Sequence, residues 1–274
     1  MAGTVYELHA LRYATNQGRK RFSNFLLHPG EDPHQGPMPL DFFVWVAVGG
    51  NRVFLIDSGS NAEVCTGRGH QFLICPSEAL KRIGIAPEDV TDVILTHMHW
   101  DHAGNLEKFP NARFHVQPSE IAYATGPCML HSHIRWPYDV EQMCAYLRML
   151  FRGRVAFHDG DDELAPGLSV HHVGGHAKGL QIVRVQTRRG QVVVASDAIH
   201  FFENVSSATP FPIFVDLGEY LSGWTKVAAL AESGEHIIPG HDPMVMKRYR
   251  APSPELQGLA VKLSEAPVAS DTDP

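Results

Sequence analysis

The 274-residue sequence lacks the features that mark exported, membrane-spanning and nucleic-acid-binding proteins. Its first residues contain neither the basic segment nor the apolar segment of an export signal. No apolar run approaches the roughly 18 residues that a membrane helix needs. The formal net charge is −7 and the longest basic run is Arg19–Arg21, so no extended phosphate-binding surface is expected. We therefore expect a cytoplasmic protein with no membrane or nucleic-acid partner.

Cysteine is also scarce. The four cysteines form no CxxC pair, and without an export signal they are expected to be free thiols rather than a disulfide framework. Histidine is the one residue type in excess, with 17 copies. Because surface histidines are common, only the spacing of these residues can indicate chemistry.

The pattern of apolar residues predicts one α/β domain over residues 1–274, with a core at about 41–243. Apolar, β-prone runs at 42–48 and 52–56 flank Gly-Gly-Asn and predict a hairpin. Helical spacing of apolar residues occurs at 77–83 and 140–151. We expect an irregular N-terminal segment at 1–40 and a polar tail from about 251, disordered at its very end. No repeat and no long linker divides the chain.

Four residues of metal-ligand type lie within six positions directly after a short apolar strand predicted at 92–96: His97, His99, Asp101 and His102. His97 and His99 are two apart, so at a strand end their side chains point to the same side. The following turn can present Asp101 and His102 in the opposite sense, which creates two adjacent half-sites. Imidazole and carboxylate suit zinc best, with iron, manganese or cobalt as alternatives.

Three further candidate ligands each follow an apolar strand and stand close to glycine: His176, Asp197 and His241. Strand ends on one edge of a β layer converge in space, so these residues can complete a preorganised site. The two carboxylate oxygens of Asp197 can bridge two ions. Any one of the three could be structural, but the ordered set together with the HxHxDH cluster indicates a metal centre.

The ordered motifs HMHWDH, GGHAKG, SDAIH and PGHD resemble the metallo-β-lactamase superfamily and, within it, the N-acyl-homoserine-lactone lactonase-like hydrolases. The resemblance covers about residues 41–243, and FLIDSG at 54–59 is similar to the early LIDTG segment of that family. It implies an αβ/βα sandwich with two zinc ions per chain. The implied ligands are His97, His99 and His176 for the first ion, and Asp101, His102 and His241 for the second, with Asp197 as the bridge. Asp57 would orient a ligand.

The activity implied by the resemblance is the opening of a lactone by hydroxide generated at the two metals. We expect catalytic roles for Asp101 and His200. His200 stands where the lactonases have a tyrosine that holds the substrate carbonyl, and Leu180 stands where they have a further histidine. His200 could act as a neutral hydrogen-bond donor or as an acid toward the leaving alkoxide. The substrate is expected to be a small molecule, and a homodimer is left open.

Aromatic residues at 136, 138, 201 and 202 are candidate pocket walls, and we expect His131 and His133 to be surface or lid residues of an irregular loop. Four alternative functions remain open. Thioester hydrolysis of the glyoxalase II kind is disfavoured because only about 30 residues follow His241. β-Lactam hydrolysis fits the carboxylate ligands less well. A persulfide dioxygenase would use a single iron, and a non-catalytic binding protein need not keep all seven ligand-type residues.

Overall fold

The structure is a computed structural model that describes residues 3–26 and 36–268. Across these ranges, the strands form two sheets. The first contains β1 (Glu7–Asn16), β2 (Leu40–Gly49), β3 (Arg52–Ile56), β4 (Gln71–Phe72), β5 (Asp92–Ile94), β6 (Arg113–Val116), β7 (Val155–Phe157) and, from the end of the described chain, β13 (Ala260–Lys262). The second contains β8 (Asp162–Ala165), β9 (Leu168–His172), β10 (Gln181–Thr187), β11 (Gly190–Ser196) and β12 (Ile237–Pro239).

The order of strands in the first sheet is β13-β1-β2-β3-β5-β6-β7, with β4 paired to β1, and in the second it is β12-β11-β10-β9-β8. Strands β3, β5, β6 and β7 run parallel to one another, as do β11 and β12. The carboxyl ends of the parallel strands in each sheet therefore share one edge.

The helices follow the capping and turn signals of the sequence. They are α1 (Ala62–Gly67), α2 (Pro76–Arg82), α3 (Pro118–Ala124), α4 (Ser132–Arg135), α5 (Val140–Phe151), α6 (Phe202–Ser206), α7 (Leu217–Leu230) and α8 (Met244–Arg248). Asp139 and Asp216 cap α5 and α7 by accepting hydrogen bonds from backbone N–H groups of the first turn. Proline at the first position starts α2 and α3.

Strand β2 shows why the molecule is layered. Its residues alternate between two apolar clusters: Phe43, Trp45 and Ala47 face the second sheet, whereas Phe42 and Val44 face the outer helices. A third cluster packs β10 and β11 against α7. Both sheets are thus covered on both faces, which confirms the predicted αβ/βα sandwich.

The prediction of an irregular segment at 1–40 was wrong, because β1 is a ten-residue strand in the first sheet. Arg12 interrupts an otherwise largely buried run of this strand. In the structure Arg12 Nη1 donates to Asp41 Oδ2 at 3.1 Å, a partner 29 residues away that local periodicity cannot show. The predicted tail from 251 likewise contains β13, which pairs with β1. The disorder predicted at the very end of the chain falls on residues 269–274, which lie outside the described residues.

No helix in the described part of the chain has the length and apolar character needed to cross a membrane.

Candidate metal centre

All seven predicted ligands lie just beyond strand ends at one edge of the sandwich. His97 comes three residues after β5, His176 follows β9, Asp197 immediately follows β11, and His241 comes two residues after β12. The loops after β11 and β12 are joined by hydrogen bonds from Gly240 N to Ile199 O (2.8 Å) and from His241 N to His200 O (3.0 Å). Residues far apart in sequence are therefore held together by backbone contacts.

Glycine is required at two positions in these loops. A Cβ at Gly240 would lie 2.7 Å from the carbonyl oxygen of Ser196 and 2.9 Å from Asp197 Oδ1. A Cβ at Gly175, which has φ +80°, would lie 2.3 Å from the backbone nitrogen of Tyr220. The chain can approach the cluster this closely only without a side chain.

The seven side chains form two groups that meet at Asp197. His97, His99, His176 and Asp197 offer ligand atoms that all lie within 4.8 Å of one another, and so do Asp101, His102 and His241. Asp197 Oδ2 lies 3.2 Å from His176 Nε2, on the side of the first group. Asp197 Oδ1 lies 3.3 Å from His102 Nε2 and 3.1 Å from His241 Nε2, on the side of the second. This geometry is compatible with a dinuclear metal site.

Hydrogen bonds to the outer nitrogens set the tautomers of the histidines. His176 Nδ1 donates to the Ile213 carbonyl oxygen (2.8 Å) and His241 Nδ1 to that of Asp41 (2.8 Å), because a carbonyl can only accept. His102 Nδ1 donates to Asp57 Oδ2 (2.7 Å), as expected of a residue that orients a ligand. In each ring Nε2 is therefore the nitrogen that faces the cluster.

Several of these inward atoms have no hydrogen-bond partner in the described residues, although they are buried: His97 Nε2, His102 Nε2 and Asp197 Oδ1. Buried polar atoms are almost always paired, so each exception requires an explanation. Imidazole nitrogens and carboxylate oxygens that converge in this way are the donor set of a divalent cation. The residues present therefore fit a metal site.

The charge state of the cluster also suits a cation. Burial lowers the pKa of His97 and His99 well below the usual range, so both rings stay neutral. Burial alone would raise the pKa of Asp197, but the surrounding histidines, His200 and His241 first, bring it well below the ordinary value. At His102 and His241 burial opposes the charged form, but the fields of Asp197 and Asp101 outweigh it and raise the pKa of both rings. Neutral imidazole and ionised carboxylate are the forms that bind metals, so a bound ion would displace the protons of these two rings.

A buried carboxylate that sequence reasoning missed, Glu120, holds two ligand loops together. Its Oε1 accepts from the backbone N–H of Met98 (2.9 Å), and its Oε2 accepts from that of Gly179 (2.8 Å). Met98 lies between His97 and His99 in the first loop, and Gly179 lies three residues after His176. Glu120 sits in the first turn of α3, where an acidic residue is ordinary, so its sequence position gave no signal.

His200 lies inside the cluster rather than at its rim. It is buried, its Nε2 is 3.1 Å from Asp197 Oδ2, and its ring stacks on Phe211 with centroids 3.7 Å apart. Its Nδ1 lies 3.0 Å from the Tyr220 hydroxyl. Because a carboxylate can only accept, the proton of the neutral ring is on Nε2 and the Tyr220 hydroxyl donates to Nδ1. Burial lowers the pKa of His200 to about 3, which keeps the ring neutral.

The cluster opens into a cleft of about 480 Å³. Trp136 lines this cleft, as predicted, and Tyr138 lines a neighbouring lobe that shares His99 and His176 with it. The predictions for Phe201 and Phe202 were wrong. Phe201 is fully buried in the core, and Phe202 packs against the guanidinium of Arg248.

Sequence reasoning gave no role to two polar residues of the cleft wall and no contact to one pair of distant histidines. Arg19 and His70 both line the cleft. His115 and His158, which had no apparent partners in the sequence, lie 2.8 Å apart between Nδ1 and Nε2. His131 and His133, predicted as surface or lid residues, are exposed.

Comparison with known proteins gives consistent matches. The metallo-beta-lactamase superfamily pattern matches residues 41–245. The N-acyl homoserine lactonase AttM of Azorhizobium caulinodans is 29% identical over 226 residues, which cover 75% of this chain and 82% of AttM. The N-acyl homoserine lactonase AiiA of Bacillus thuringiensis subsp. kurstaki is 32% identical over 165 residues, 60% of each chain. The crystal structure of a quorum-quenching N-acyl homoserine lactone lactonase is similar with a TM-score of 0.74 at 25% identity, covering 92% of this chain and 98% of that one.

Proposed function

This chain belongs to the metallo-beta-lactamase superfamily, and we propose that it is a dinuclear-metal hydrolase that opens a lactone ring. The observation that carries the proposal is the sharing of Asp197 between two ligand groups, one oxygen toward each. Similarity to proteins named as N-acyl homoserine lactonases supports the choice of a lactone. The cleft beside the cluster supports a small-molecule substrate.

We assign the ligands as follows: His97, His99 and His176 for one ion, Asp101, His102 and His241 for the other, with Asp197 as the bridge. Zinc is the proposed metal, because imidazole and carboxylate ligands suit it best, with iron, manganese or cobalt as substitutes. When bound, two such ions supply Lewis acidity, which activates water near neutral pH and polarises a carbonyl oxygen. Asp101 Oδ2 also lies 3.5 Å from His102 Nε2 and 3.6 Å from His241 Nε2, and these contacts keep the second group together.

His200 is proposed to act as a neutral donor. Its Nε2–H is directed into the cluster by the hydrogen bond that Nδ1 receives from Tyr220. In the free enzyme this N–H donates a hydrogen bond to Asp197 Oδ2. A substrate carbonyl oxygen can compete for the same N–H as negative charge develops on that oxygen. An acid role would need a protonated ring, which burial opposes.

Among the alternatives, a mononuclear iron dioxygenase is disfavoured by the second ligand group. One ion would use His97, His99, His176 and Asp197, and would leave Asp101, His102 and His241 converging without a task. Thioester and β-lactam hydrolysis use the same metal chemistry. The substrate assay must therefore separate them from lactone hydrolysis.

Metal analysis and a substrate panel test the proposal together. We expect about two divalent ions per chain by elemental analysis. We also expect kcat/KM for lactones to exceed that for thioesters and β-lactams of similar size by at least about tenfold. A single iron that stays single after zinc loading, or turnover of a thioester in preference to every lactone, would contradict the proposal. The homodimer stays a prediction.

A further inference from the structure

The cleft wall carries one charged side chain outside the histidine and aspartate cluster in the described part of the chain, and this is Arg19. The rest of that wall is mainly aromatic, including Phe42, Trp100 and Trp136. His70 also lines the cleft, but burial lowers its pKa to about 4, so it is neutral at pH 7. A substrate in the cleft therefore meets apolar rings and one guanidinium.

Neutral groups hold the guanidinium in place. Arg19 Nη2 donates to the carbonyl oxygen of Ser23 at 2.7 Å, and Nε donates to the side-chain oxygen of Asn24. The guanidinium carbon lies 5.2 Å from the ring centroid of Phe211, and that ring stacks on His200. Arg19 Nη1 has no hydrogen-bond partner in the described residues, and no carboxylate there forms an ion pair with Arg19. The side chain is thus positioned but not neutralised.

The charge of Arg19 persists at neutral pH. Burial lowers the pKa of its guanidinium only to about 10. Asp101 is the carboxylate whose field reaches Arg19, but Asp101 is already faced by His102 and His241. Because Arg19 has no counter-ion of its own among the described residues, an anion that enters the cleft meets an uncompensated cation.

We propose that Arg19 forms an anionic subsite, so that the substrates of this enzyme carry a carboxylate in addition to the ring that is opened. The statement that the substrate contains a lactone ring rests on the function proposed above, whereas the anionic subsite does not depend on that function. A guanidinium presents planar N–H donors that match a carboxylate.

A binding experiment isolates the subsite from turnover. The probes are 5-oxopyrrolidine-2-carboxylate, a lactam of similar shape that resists hydrolysis, and its primary carboxamide, which is nearly isosteric but neutral. Calorimetric titration of the metal-loaded protein should show that the carboxylate binds at least about tenfold more tightly. Arg19→Gln should weaken binding of the carboxylate by about 10- to 100-fold and that of the carboxamide by less than about threefold, since hydrogen bonds to charged groups contribute about 1.5–3 kcal/mol.

Two further variants act as controls. Arg19→Lys keeps the charge and should retain part of the preference for the carboxylate. Arg82→Gln changes an exposed arginine in the last turn of α2 and should bind both probes as the unmodified protein does. Equal weakening of both probes in Arg19→Gln would mean that Arg19 only holds the loop at 19–24. A carboxylate preference that survives Arg19→Gln would mean that the metals bind the anion. Either result overturns the subsite.

Kinetics with the matching γ-lactone carboxylate and γ-lactone carboxamide separate the two proposals. If both lactones are opened, Arg19→Gln should raise KM for the carboxylate with little change in kcat. If neither lactone is opened but the lactam carboxylate binds through Arg19, the lactonase proposal fails and the anionic subsite stands. If the carboxamide is the better substrate and the better ligand, the subsite fails and the lactonase stands.

Discussion

Two clusters of histidine and aspartate lie at opposite ends of strand β5, and they differ in how their polar atoms are satisfied. At the start of the strand, both oxygens of Asp92 accept hydrogen bonds from Arg52, at 2.7 and 3.1 Å, and Oδ1 also lies 2.9 Å from His115 Nε2. His115 contacts His158, which contacts Asp162 at 2.7 Å. Beyond the end of the strand, His97 Nε2 faces the second cluster without any such partner.

The comparison shows that residue type alone does not distinguish a structural cluster from a ligand cluster. In the Asp92 cluster, no buried side-chain N or O atom lacks a hydrogen bond in the described residues. These hydrogen bonds therefore stabilise the folded state. In the His97 cluster, lone pairs converge and stay unpaired, which costs stability that bound metal can return. Buried polar atoms that converge without hydrogen-bond partners therefore distinguish the candidate metal centre from the structural cluster.

The sharpest test of this comparison removes the shared ligand. Asp197→Ala should lower kcat/KM for the best lactone by at least about 10³-fold, because both ligand groups lose an oxygen at once. The bound metal, measured by elemental analysis, should fall below two ions per chain.

His133→Ala is the matched control for Asp197→Ala, because His133 is an exposed histidine in α4. It should keep both metals and at least about half of the activity. Equal loss of activity in the two variants would show that the ligand cluster has been placed wrongly.

The sequence was sufficient to predict which residues lie together where the candidate ligands follow recognisable strands. His97 to His102 come after an apolar run, and Asp197 follows β11, a strand of mostly apolar residues. Strand ends were enough because the ligands lie at the edge where parallel strands finish. The αβ/βα sandwich came from the resemblance rather than from the pattern of apolar residues.

The sequence was insufficient where a charged residue depends on a distant partner. Strand β1 contains Arg12, whose hydrogen-bond partner Asp41 lies 29 residues away and cannot be found from local periodicity. Arg19 was missed because it lies in the segment predicted to be irregular. Glu120 and His115 are tied to groups in other loops, through contacts that have no local period. Such residues become visible only when the fold brings their partners together.

The second prediction concerns how much the cluster depends on hydrogen bonds rather than on metal ligands. His200→Ala should lower kcat by about 10²-fold with both metals retained, because a donor toward the developing charge is lost. Tyr220→Phe should lower kcat less, since it only releases Nδ1 and lets the ring change tautomer. Because the ring is neutral throughout, the fall in kcat for His200→Ala should be the same from pH 6 to pH 8.

His200→Tyr supplies the control for that prediction, because it restores a donor of the kind that the lactonases carry at this position. It should recover part of the lost rate. Full activity in both His200→Ala and His200→Tyr would make His200 a bystander, and loss of metal in His200→Ala would make it a ligand instead.

The smallest effect on activity, and the clearest contrast, is expected at the Asp92 cluster. Asp92→Asn should leave metal content and kcat unchanged but should lower the free energy of unfolding by about 2 kcal/mol at pH 7. Burial alone would raise the pKa of Asp92, but hydrogen bonds from His115, Arg52 and Thr91 hold it at about 2 in the folded state. The ordinary value in an unfolded chain is about 3.9, and one pKa unit corresponds to about 1.4 kcal/mol. Because the folded pKa is the lower one, this stabilisation is fully present above about pH 5 and is lost as the pH falls from about 4 through 2. The difference between the two proteins in urea unfolding should therefore be constant from pH 5 to 7 and should shrink below pH 4.

Asp89→Asn, at an exposed turn nearby, should show no difference at any pH. A stability gap that does not change with pH would mean that Asp92 acts through packing rather than through its charge, and a loss of metal in Asp92→Asn would mean that the two ends of β5 are not independent.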